Sequence, residues 1–222
     1  WEEEVPPPPP TPPTTYTLLP AGWWCFFFPN IQNMENKSTQ QAAGTLQDAL
    51  RLLSEENDLN QSLQGVQLIS QRVFNNANEK AQANQLGCIP AIIASLSRYS
   101  DSAEFQEQGL KALRNSTFRM IDSKREAING GAFEAIKKAL EDYISSEAVC
   151  TEGIWTLASM CGNDEEASTH AKTKGLKACV AAAAAAHPGS AAITTKAMFL
   201  NAALADDEAA GEKESQQLKE EG

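Results

Sequence analysis

A chain of 222 residues with 42% apolar content and a formal net charge of −11 is long enough for one sizeable domain and too short for three. The acidity is terminal: residues 1–33 carry −3 and residues 205–222 carry −5, leaving −3 for the body. A surface without a basic footprint argues against nucleic acid and against an anionic membrane as partners.

Residues 1–33 differ from everything after them. The prolines at 6–10, 12 and 13 hold an extended conformation and no helix. The most apolar run, residues 18–28 (LLPAGWWCFFF), is broken by Pro20 and Gly22. It is too short for a membrane helix, and the charges before it are acidic, unlike a signal peptide. The segment is expected to be a disordered Pro-rich extension that need not be native; a Pro-rich ligand segment or an anchor is the functional alternative.

From Met34 the chain settles into a rhythm. Gly44, Gly87, Gly131 and Gly175 recur at spacings of 43, 44 and 44, each suited to end a short helix in a left-handed conformation. A second helix follows each one: TLQDALRLL, CIPAIIASL, AFEAIKKAL and LKACVAAAA. Ala49, Ile92, Ile136 and Val180 stand five residues past the glycine, and Leu53, Leu96, Leu140 and Ala184 nine past it. The two columns are one helical turn apart and predict a buried stripe. Short polar turns (SEEND, SRYSDS, EDYISS, HPGS) lead to a third, longer helix in each unit, of which EFQEQGLKALRNSTF (residues 104–118) is the clearest. Asn78, Asp122 and Asn163 are placed to cap the short first helices. A period in the 40s with helical content predicts stacked helical repeats.

A small residue recurs in the third helices at Gly65, Gly109 and Gly153. Glycine inside a helix costs about 0.5–1 kcal/mol relative to alanine, so a tight helix contact must offset it. In the fourth unit the equivalent is expected at Lys196, one residue early. The six alanines at 181–186 predict a weakly packed fourth unit, or simply a helix of high propensity.

These motifs resemble the armadillo repeat family. Gly87-Cys88-Ile89-Pro90 and Gly130-Gly131-Ala132-Phe133 match its opening of the second helix. Gly109-Leu110-Lys111-Ala112-Leu113-Arg114-Asn115 matches its third-helix signature with Gly for the first Ala, and the run from Gly153 to Ser159 matches less fully. The resemblance covers roughly residues 38–204. It implies an all-α, right-handed superhelix of stacked three-helix repeats, with units at about 34–74, 75–118, 119–162 and 163–204. Residues 205–222 read either as an acidic tail or as the start of a truncated fifth repeat, in a fragment of a longer array.

The family's third helices line a concave groove. Carried over position by position, one groove column contains Gln67, Lys111, Trp155 and Met198, and the next contains Gln71, Asn115, Ser159 and Ala202. Glu152 lies one turn before Trp155 and could meet a basic ligand group. Importin-α-like members repeat a Trp in the first column and an Asn in the second; here Trp155 and Asn115 fall in different units. Trp155 is the best single anchor, with a core packing role as its alternative. The expected function is a non-catalytic scaffold that binds a protein or peptide, with an importin-like cargo adaptor or a structural assembly component as alternatives.

Nothing is arranged for catalysis. His170 and His187 have no metal-ligand spacing to Cys, Asp or His, and phosphate loops, G-x-S-x-G and H-E-x-x-H are absent. No catalytic residue, metal or cofactor is expected. The five cysteines (Cys25, Cys88, Cys150, Cys161, Cys179) form no CxxC pair, which points to reduced thiols in the cytoplasm, with the nucleus also open. The N-x-S/T triplets at Asn36, Asn60 and Asn115 read as chance.

Overall fold

The computed structural model of the chain describes residues 44–205, which fall within a single compact unit. The expectations for residues 1–33, for a first helix before Gly44 and for the acidic segment after residue 205 lie outside the described residues. The described residues form eleven α-helices and no strand: α1 (Leu46–Leu52), α2 (Leu59–Val73), α3 (Ala77–Gln85), α4 (Cys88–Arg98), α5 (Ala103–Thr117), α6 (Ile121–Asn129), α7 (Ala132–Asp142), α8 (Glu147–Cys161), α9 (Glu165–Thr173), α10 (Leu176–Ala186) and α11 (Ala191–Ala203). After α1 and α2 the lengths repeat as triplets of 9, 11 and 15 residues, the last triplet ending in 13. Among the described residues no helix is long and apolar enough to cross a membrane.

Two left-handed hinges set this repeat. Gly87, Gly131 and Gly175 join first to second helices with φ of +77°, +89° and +74°. A Cβ added at Gly87 would meet nothing within 4 Å, so the backbone conformation, not space, requires glycine there. Asn75, Arg119 and Asn163, 44 residues apart, join each third helix to the next first helix with φ of +50°, +60° and +55°. Asparagine tolerates that region; for an arginine it is strained.

Capping residues fix the register. Asp58, Ser102, Ser146 and Ser190 precede the third helices at intervals of 44, and each side chain accepts the N–H of the residue three positions on. Each such cap stabilises its helix by about 1 kcal/mol. The first helices are capped by Asn76 and Asp164, while Met120 supplies no side-chain bond. This corrects the expectation for Asn78, Asp122 and Asn163: the left-handed hinge displaces each helix start by one or two residues. The even spacing from Ser146 to Ser190 also removes the expected one-residue shift in the fourth unit. Ala197 stands in the place of Gly153, and Phe199, not Met198, in the place of Trp155.

The core is one continuous apolar cluster running through all the described units. Its stripe is the one predicted except at Ala184, which is only half-buried: Ala49, Ile92, Ile136 and Val180 are fully buried, and Leu53, Leu96 and Leu140 nearly so. Each of these leucines presses on the glycine of its own unit's third helix. A Cβ on Gly65 would come to 3.0 Å from Leu53 Cγ, on Gly109 to 2.6 Å from Leu96 Cδ2, and on Gly153 to 2.8 Å from Leu140 Cδ2. The fourth unit carries alanine at both positions, Ala184 and Ala197, so the smaller partner and the larger helix residue change together.

Neighbouring units are also stapled through a ring column at positions 99, 143 and 187. Tyr99 Oη donates to Asn57 O at 2.9 Å, Tyr143 Oη to Ser100 O at 2.9 Å, and His187 Nε2 donates to Ile144 O at 2.8 Å. Each bond ties a second helix to the preceding unit's turn, satisfying a carbonyl that the turn leaves open.

Candidate functional site

The third helices form a continuous row: α2 packs on α5, α5 on α8 and α8 on α11. Gly109 and Gly153 hold the second helices tight beneath this row, against Leu96 and Leu140. Thr156 of α8 is buried and donates to Leu110 O of α5 at 3.1 Å.

At the centre of the row stands Trp155, half-buried on α8. Each neighbouring third helix sends it a cation: Arg114 of α5 lies 3.8 Å from the ring centroid and Lys196 of α11 lies 4.2 Å from it. Such contacts stabilise by about 0.5–2 kcal/mol, more as water is excluded. Arg114 also meets Glu152 across the helix pair at 2.8 Å, the two side chains being 9% and 15% exposed. The atoms are close but not aligned for a hydrogen bond, and neither Arg114 Nη1 nor Glu152 Oε2 has any other partner of that kind.

Burial governs the titration of this cluster. It raises the Glu152 carboxyl, with Arg114 the strongest opposing charge, Lys111 and Lys196 opposing as well, and Glu107 adding to the rise. Burial likewise lowers Lys196, with Arg114 adding and Glu152 opposing. Arg114 and Lys196 thus share the indole beside Glu152, and Lys111 and Glu107 on α5 stand near enough to act on the Glu152 charge.

The structure brings together three of the sequence-predicted groove residues, Lys111, Glu152 and Trp155. It separates the others. Asn115 is 8% exposed and its amide donates to Ser70 Oγ at 2.9 Å, tying α5 to α2. Ser159 is buried and donates to Thr156 O of its own helix at 2.8 Å. Gln67 is half-buried and Gln71 exposed, both on α2, one helix further from the indole. Met198 is 61% exposed and falls 44 residues after Ile154, in the column of Val66, Leu110 and Ile154, not in that of Trp155.

The place of Arg114 and Lys196 at the indole is what sequence reasoning misses. Their signal lay in the columns: Arg114 shares its position with Ser70 and Ala158, where a long cation is out of place, and Lys196 shares its position with Glu152 and Gln108. His170 sits edge-on to the Phe133 ring at 5.6 Å, and His187 belongs to the staple described above. Cys88, Cys150, Cys161 and Cys179 are free thiols. Burial pushes Cys88 and Cys150 up to about 11 and Cys161 up to about 12, which suppresses the thiolate needed for reaction. Among the described residues no group of three or more His, Cys, Asp or Glu is placed to hold a metal ion. No protein-family model matches the chain, and no curated protein matches it.

Proposed function

We propose that the chain is an armadillo-type right-handed superhelix serving as a non-catalytic, cytoplasmic scaffold that binds an extended peptide or a helix along its row of third helices. The observation that carries this reading is the Trp155 cluster. A half-buried indole, two cations over it and a poorly aligned ion pair sit at the middle of a continuous helix row. Aromatic and arginine side chains in such settings dominate recognition energy. An importin-like adaptor role is disfavoured, because the ring that would bracket a ligand's basic side chains already carries Arg114 and Lys196.

Selection from a random peptide library on the full chain tests the reading. Binders should be lost on Trp155→Ala, with helicity retained by circular dichroism, and kept on Lys138→Ala, an exposed second-helix position. Binders indifferent to Trp155, or no binders at all, would sink it.

A second reading, an assembly component, is favoured by Met198. Leu110 of its column reaches within 3.8 Å of a Cβ at Gly153 in the next unit's third helix, whereas Met198 lies largely exposed. A further unit or a second copy stacked on α11 would cover it. Sedimentation of the chain and of Met198→Arg separates the two readings: a monomer in both cases removes self-assembly.

A further inference from the structure

The charges around Trp155 name the chemistry of the ligand, given the reading of the third-helix row as a peptide-binding face. We propose that this face takes an acidic peptide, its carboxylates seated by Lys111 and Lys196 on either side of Trp155.

Three cations, Lys111, Arg114 and Lys196, meet two carboxylates here, Glu107 and Glu152. Glu152 is engaged by Arg114 at 2.8 Å, and Glu107 accepts from Gln108 at 3.2 Å. Neither Lys111 nor Lys196 belongs to any ion pair among the described residues. The remaining acids of the row, Glu104 and Glu147, are exposed in the first turns of α5 and α8. Glu104 precedes Lys111 by seven residues, about 10 Å along the helix axis. There it suits the positive end of its own helix dipole, as Glu147 does on α8. A peptide crossing the row at the level of the indole therefore meets surplus positive charge.

The indole reinforces the sign. Lys196 is half-buried against the ring that Arg114 also contacts, and the two like charges repel. An incoming carboxylate relieves that repulsion, while an incoming ammonium adds to it and must displace a cation from the ring. Like-charge juxtaposition is a strong device for rejecting the wrong partner.

Fluorescence anisotropy on the full chain tests the proposal, using dye-labelled octapeptides of alternating glutamate and leucine or of alternating lysine and leucine, and octathymidine. The glutamate peptide should bind about tenfold or more tightly than the lysine peptide and should weaken with salt. Lys111→Glu, at a partly exposed position, should cost about tenfold in its affinity, and so should Lys196→Glu where circular dichroism shows the fold intact. Preference for the lysine peptide overturns the acidic assignment but leaves the row as a peptide site. Octathymidine bound in preference to the glutamate peptide overturns it in favour of nucleic acid. Binding of the glutamate peptide unaffected by Lys111→Glu also overturns it. Failure of both peptides overturns the assignment and the groove reading together.

Discussion

Gly109→Ala probes the packing of a third helix on the second helix of its own unit. In an exposed helix the change would stabilise the protein by about 1 kcal/mol, the propensity difference between the two residues. Here the new Cβ arrives 2.6 Å from Leu96 Cδ2 and 3.2 Å from Leu96 Cγ, with Leu96 itself buried. Overpacking of this kind costs about 1–3 kcal/mol, so the variant should lose about 1 kcal/mol net. The sharper reading comes from a double-mutant cycle. In a Leu96→Ala background the obstructing methyls are gone, and Gly109→Ala should then stabilise by about 1 kcal/mol, a coupling of about 2 kcal/mol. Urea unfolding followed by circular dichroism gives all four stabilities. If Gly109→Ala stabilises the parent chain, or the two changes simply add, the glycine is not a packing position.

Glu152→Ala should cost about 3 kcal/mol, because it leaves Arg114 buried and unpaired, whereas replacing the pair by Met and Leu together should be close to neutral; a large loss in the double variant would show the pair to be stabilising in its own right. The pH dependence of Glu152→Gln follows from the raised carboxyl. The unfolded chain loses that proton first, near the ordinary 4.5, so the residue's contribution is whole below that pH and declines as pH rises through the folded value. The parent chain should therefore lose stability relative to the Gln variant as pH rises above about 4.5, and a relative gain would reverse the sign assigned to burial. Arg119→Asn should raise stability by about 1 kcal/mol by relieving the left-handed strain that Asn75 and Asn163 tolerate at the same hinge; an unchanged thermal midpoint would mean that the contact of Arg119 with the Phe118 ring, at 5.1 Å, offsets the strain.

The helical class and the buried stripe were readable in the sequence because they depend on local rules. Gly87, Gly131 and Gly175 announce a left-handed hinge by being glycine, and Ile92 and Leu96 announce one face by their spacing. The pairing of Gly109 with Leu96 was half legible: the recurrence of the glycine was visible, but its partner lies in another helix. The register of the fourth unit cannot be read from the length of its turn, because the cap at Ser190 keeps the interval at 44. The site was the least legible part. Asn115 looked like a ligand-facing residue and is tied to Ser70, while Arg114, Glu152 and Lys196 come from three helices and meet only through packing.

The most direct measurement is an amide chemical-shift map of the full chain titrated with the glutamate–leucine peptide. Shifts gathered on α5, α8 and α11 around Lys111, Trp155 and Lys196 are the predicted result. Shifts gathered on the second helices α4, α7 and α10, with the third-helix row silent, would contradict it.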